Sequence, residues 1–192
     1  MNTKEIALII TFAALTIALA PFRIPSVYLP GVYYRFCEIP IVVAFLVFGP
    51  KIGISIAGLN VFAEIVLFPG PAVFVGRPIV FVLVLCMFLG IYFAHWLQKR
   101  KAKLNSNANL KTGIYYTAFG TLIRTVVAPL VNYPFYRYVV PLLSGLSLSD
   151  AYVTALIPGF IIYALTFSLF TIPIGFLIAR VVSRNLNVGT KL

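Results

Sequence analysis

Apolar residues run along this chain in long blocks, divided by short clusters of proline, glycine and charge. Residues 6–20 form the first block, ended by Pro21. Glu38–Phe48 is the second, closed by Gly49, Pro50 and Lys51. Residues 52–68 form the third, ended by Pro69, Gly70 and Pro71. Residues 79–97 form the fourth, followed by the basic, Asn-rich segment QKRKAKLNSNANLK. Residues 113–131 form the fifth, and residues 151–182 contain the sixth. Continuous blocks without an amphipathic stripe predict helices surrounded by lipid. The first two fall short of the approximately 20 residues that normally cross a bilayer, so they are expected to stand nearly upright, meet thin membrane or extend into their flanks. Pro158 and Pro173 inside the last block predict a kink or a broken start.

Composition agrees with the pattern. The chain is 61% hydrophobic and 10% charged, with a mean hydropathy of +1.04. Soluble domains carry about a quarter charged residues. The expected fold is therefore an all-α integral membrane protein of six transmembrane helices, one domain over residues 1–192. No second domain or internal repeat is visible. The first block follows Lys4 and Glu5 as a signal peptide would. It lacks a small-x-small cleavage site and is followed by Pro21, Phe22 and Arg23, so it is read as a mature helix.

Charge orients the bundle. The net charge is +11, and the basic residues alternate in position. Lys4, Lys51, Lys99, Arg100, Lys101, Lys103, Lys111, Arg180, Arg184 and Lys191 fall on one side of six spans. Only Arg23, Arg35, Arg77 and Arg137 fall on the other. The positive-inside rule then predicts both termini in the cytoplasm of a multi-pass protein of the plasma membrane. No basic stripe with interleaved aromatics or other nucleic-acid motif is present, so the partner of this charge is the lipid bilayer and not nucleic acid. The outer face receives three long connections, residues 21–37, 69–78 and 132–150. They are rich in Tyr, Phe, Pro and Gly and are expected to be structured extracellular loops capping a polar pocket.

Candidate chemistry lies where charge meets lipid. Glu64 sits inside the third block and Arg124 inside the fifth, both toward the outer side. Ionisable groups there are expensive unless paired or facing water. Either they neutralise each other between helices, or they line an outward pocket. Arg35 and Glu38, at the outer start of the second helix, read as a solvated pair. Positions 124, 128 and 132 follow i, i+4, i+8 spacing, so Arg124 and Asn132 share one inward face if the helix continues. Tyr133 and Tyr136 next to Asn132 are either aromatic-belt residues or pocket wall. The substrate-binding candidates are Arg124, Asn132, Tyr133, Tyr136, Glu64, Arg35 and Arg77.

Other chemistries lack their residues. There is no HExxH, GxSxG, GxxxxGK[ST] or aspartate pair, so no enzyme, metal site or cofactor is expected. Cys37 and Cys86 have no metal or redox spacing and read as small apolar side chains. His95 beside Trp96 reads as an interfacial residue. Paired carboxylates at the midplane are missing, which weakens a proton-coupled carrier. Nothing here hydrolyses ATP, so energised uptake would need an outside motor.

Several segments resemble a known family. CEIPIVVAFLVFGPKIGISIAGLNVFAEIV resembles the second and third helices of substrate-binding S components of energy-coupling factor (ECF) vitamin transporters, with their acidic residue before Ile-Pro and their Gly-Pro turn. GTLIRTVVAPLVNY resembles the fifth helix of the riboflavin-type members, and ALIITFAALTIAL the alanine-rich first helix. The resemblance implies a subunit that binds a vitamin-sized solute from outside. It would dock on a transmembrane T protein with two ATP-binding-cassette (ABC) ATPases. Ala14 and Ala18 match the family's docking motif, and small residues at i, i+4 allow close helix approach. Asn132 matches the family's ligand-contacting asparagine. The last helix, IPGFIIYALTFSLF, departs from the Asn and nearby Lys of riboflavin-type members. The arginines and tyrosines of the outer half would instead suit a planar ring bearing a carboxylate or another electron-rich group. The alternatives are a six-helix scaffold or assembly protein with purely structural polar groups, and a stand-alone carrier or channel.

Overall fold

The computed structural model describes residues 3–29, 32–101, 110–145 and 148–185. Each apolar block forms a helix. These are α1 (Thr3–Leu19), α2 (Glu38–Phe48), α3 (Pro50–Leu67), α4 (Pro71–Lys101), α5 (Leu110–Pro134) and α8 (Ile157–Asn185). Two short helices, α6 (Val140–Ser144) and α7 (Asp150–Ala155), lie between α5 and α8. Among the described residues, four stretches are long and apolar enough to cross a membrane: Pro50–Leu67, Gly76–Arg100, Leu110–Leu142 and Asp150–Asn185. The exterior is as greasy as the interior, with Phe62, Leu89, Leu122, Leu130 and Leu169 all exposed. Such a surface suits hydrocarbon and not water.

The second helix escapes the length requirement by being enclosed. From Ile41 to Val47 no side chain of α2 is more than 3% exposed. A helix apolar on every side is a buried helix. It packs against α3, α8 and α1. Gly49 (φ 95°) turns the chain directly from α2 into α3, with Pro50 at the first helical position. Positive φ favours glycine, and proline there loses no hydrogen bond.

The structure departs from the sequence expectation at the connections. The chain is not wholly helical: Arg23–Pro25 (β1) and Tyr33–Arg35 (β2) pair antiparallel into a small hairpin, with Ile24 opposite Tyr34. Residues 69–78 are not a long loop. Helix α4 starts at Pro71 and carries Pro78 inside, because a proline at the first turn begins a helix as readily as it ends one. Beyond α5, Phe135–Val139 forms a π-helical turn leading into α6. The last block has the expected broken start, with α7 ending before Leu156 and α8 beginning just ahead of Pro158. Ser149 caps α7 by accepting the backbone N–H of Tyr152. Lys103 and Lys191 lie outside the described residues.

Candidate functional site

The charged residues converge at one end of the bundle. There the hairpin meets the start of α2 and α4, the last turns of α3, and the facing sides of α5 and α8. Glu38 opens α2 and is 2% exposed; Arg124 on α5 is 1% exposed. Arg124 donates from Nη1 to Glu38 Oε2 at 2.7 Å and from Nη2 to Oε1 at 3.1 Å. This is a two-pronged guanidinium–carboxylate fork, the strongest geometry for such a pair. The guanidinium also lies 4.8 Å above the Phe167 ring of α8, and Nη1 is 3.5 Å from Met87 Sδ of α4. Four helices thus hold one arginine.

Glu64, 1% exposed, has separate partners. Its Oε2 takes Arg35 Nη1 from the hairpin at 3.2 Å and Arg77 Nη1 from α4. Its Oε1 accepts Asn60 Nδ2 at 3.2 Å, one turn earlier on α3, and faces Cys37 Sγ at 3.7 Å. The Glu64–Arg124 pairing considered from the sequence does not form. The short turn from α3 into α4 returns Arg77 directly beside Glu64, while Glu38 claims Arg124. The solvated Arg35–Glu38 pair is likewise replaced: Glu38 is buried, and Arg35 turns to Glu64.

Between these groups lies a cavity of about 20 Å³, room for roughly one water. Arg35, Cys37, Glu38, Asn60, Glu64 and Arg77 form its polar wall, and Ile41, Ala57, Val80 and Val84 are among its apolar side chains. Two polar atoms on this wall, Asn60 Oδ1 and Arg77 Nε, have no hydrogen-bond partner, although Arg77 is only 8% exposed. Arg124 Nε is also unpartnered.

The hairpin covers this end. Tyr34 packs on the rings of Tyr163 and Phe167, with centroids 5.0 and 5.7 Å apart, and its hydroxyl lies 2.8 Å from Thr166 Oγ1. The Tyr163 hydroxyl donates to the Tyr33 carbonyl at 2.9 Å. Leu29 is buried where Gly159 leaves space on α8. The strap is fixed to α8 by rings and hydroxyls, and to α3 by the Arg35–Glu64 pair.

The sequence-predicted residues therefore divide. Arg35, Glu64 and Arg77 line the cavity, and Arg124 adjoins it through Glu38. Asn132, Tyr133 and Tyr136 do not line it. Arg124 and Ala128 are buried, but the Asn132 amide donates back to the Ala128 carbonyl at 2.7 Å. Tyr136 packs on Phe160 of α8 with centroids 5.1 Å apart. Asn60, Tyr34 and Tyr163 were missed. For Asn60 a signal existed, because its i, i+4 spacing to Glu64 places an amide beside a buried carboxylate. His95 bonds through Nδ1 to the Tyr116 hydroxyl at 2.9 Å and so is tied into the α4–α5 interface. Ala14 and Ala18 are exposed on α1.

The sequence matches no family model and no curated protein. The fold is similar to a solved structure, described as that of the S component of a bacterial ECF transporter. The TM-score is 0.64 at 22% sequence identity, over 97% of this chain and 99% of that one.

Proposed function

We propose that this chain is the solute-binding membrane subunit of an ECF-type importer. It takes up a vitamin-sized aromatic or anionic molecule, riboflavin or another vitamin or precursor. The observation that carries the reading is the likeness of fold to an S component along essentially the whole of both chains. The distribution of lysine and arginine favours the hairpin end as the outer face, with both termini in the cytoplasm of a plasma-membrane protein. Solute would then enter at the hairpin. Arg35, Arg77 and Glu64 take its polar group, and the aromatic side chains on α8 flank its body. Arg124 acts by holding Glu38, and Asn132, Tyr133 and Tyr136 belong to the cap at the same end. The present cavity accepts only a small group, so admitting a whole vitamin requires the strap to lift from Tyr163 and Thr166. The protein binds and does not transform its solute. A transmembrane T protein and two ABC ATPases supply the drive, with Ala14 and Ala18 as the docking face.

Tagged full-length chain is expected to co-purify with an ATPase-bearing complex and to support ATP-dependent uptake. Ala14→Trp and Ala18→Trp should leave the melting temperature unchanged, since both sites are exposed, yet abolish co-purification and uptake. Intact assembly and uptake in both variants would sink the docking assignment. One observation favours the scaffold reading: Glu38 and Glu64 both already hold guanidinium partners. A scaffold predicts that no solute shifts the melting temperature.

A further inference from the structure

The charges around the cavity do not balance, setting aside Arg23, which stands opposite Arg35 in the hairpin but is exposed and lies over the Tyr33 ring. Among the described residues, the carboxylates that Arg35, Arg77 and Arg124 meet are Glu38 and Glu64. Three guanidiniums against two carboxylates leave one positive charge, and arginine does not relieve it by losing a proton. The chain cannot supply the missing acid, because it has only four acidic residues. Asp150 is held by Arg137. Glu5 lies in the first turn of α1, about 21 Å of helix from the end that leads to the hairpin. The Arg124–Glu38 fork is closed, with both prongs used. The surplus therefore falls on Arg35 and Arg77, which share a single oxygen of Glu64. Arg77 is the more buried of the two, and its Nε is unpartnered on the cavity wall. An unneutralised charge in such a place is strongly disfavoured.

We infer that the solute of this cavity is a monoanion. Its carboxylate, or an equivalent singly charged oxyanion, pairs with Arg77 and Arg35 and supplies the one negative charge the cluster lacks. The inference rests on reading the cavity as the solute site, and narrows it. A neutral flavin or a cationic vitamin leaves the surplus in place, and a dianion reverses it. The apolar walls from Val80 and Val84 take carbon next to the charged head.

The test uses the purified full-length chain and matched acid–neutral pairs: nicotinate and nicotinamide, pantothenate and panthenol, biotin and biotinamide. Riboflavin and thiamine are the neutral and cationic references. One acid is expected to raise the melting temperature and bind at least about tenfold tighter than its neutral twin. Arg77→Gln should erase that preference. A neutral or cationic compound binding as tightly as any acid overturns the monoanion and leaves the solute-binding reading standing. No shift with any compound overturns both. A second measurement needs no solute. Arg77→Gln removes the surplus charge, so the ligand-free variant should melt no lower than the parent chain, whereas Glu64→Gln should melt lower. Should Arg77→Gln melt as low as Glu64→Gln, or fail to fold, the charge is already used by the fold and the inference falls.

Discussion

Arg124 donates two hydrogen bonds to Glu38 where both side chains are almost wholly buried, so neither charge has bulk water as a substitute partner. Deleting one strands the other, a loss of about 3–5 kcal/mol for a buried pair. Deleting both replaces ions with neutral groups of similar shape and removes most of that loss. Arg124→Gln and Glu38→Gln are therefore each expected to lower the melting temperature sharply, with the double variant recovering well above either. Equal, additive losses would show that the two side chains act separately. Cys37 follows the same logic in a milder form. Burial, and then the Glu64 carboxylate beside it, push its thiol up, so it stays a neutral donor toward Glu64. The sequence reading of Cys37 as a small apolar side chain missed that contact.

Among the helices, α4 and α5 approach backbone to backbone at a glycine. A Cβ at Gly90 would stand 2.6 Å from the Phe119 carbonyl oxygen and 2.8 Å from Gly120 Cα, both backbone atoms that cannot swing aside. Gly90→Ala is expected to force the pair apart and to destabilise by about 1–3 kcal/mol. Gly58→Ala, with nothing within 4 Å of the new methyl, should melt as the parent does. Equal melting of both variants would remove the close approach as a determinant of the fold. The helices themselves were legible, since long apolar blocks leave little choice in lipid. Their ends were less so. Proline is the same letter at the start of α4 as at the end of α1, and only the packing of Arg77 on Glu64 shows which role Pro71 has. The hairpin was illegible for a different reason: two strands of three residues carry no periodicity. That Arg124 sits among charges was readable; that its partner is Glu38 and not Glu64 depended on how four helices pack.

For the molecule as a whole, sidedness is the property that the charge pattern predicts and that labelling can check. Val27 in the hairpin connection is 92% exposed. In a background with Cys37 and Cys86 replaced by alanine, Val27→Cys should react with an impermeant maleimide on intact cells, and Arg184→Cys only after permeabilisation. The reverse pattern would invert the protein and move the cavity to the cytoplasmic face. Assembly order is constrained as well. The 11 residues of α2 rise about 16 Å, roughly half of a ~30 Å hydrocarbon layer. Alone, α2 would leave the polar backbone at its ends in lipid. Its shelter comes partly from α8, which is made well after α2. The enclosure of α2 is therefore completed only after α8 arrives. A chain ended at Gly145 is expected to show fast amide exchange throughout α2 while α3 stays protected. Slow exchange there would mean that α2 is held without α8. A protein built this way keeps its core waiting for a distant helix, and truncations just ahead of α8 should be cleared by quality control as readily as early ones.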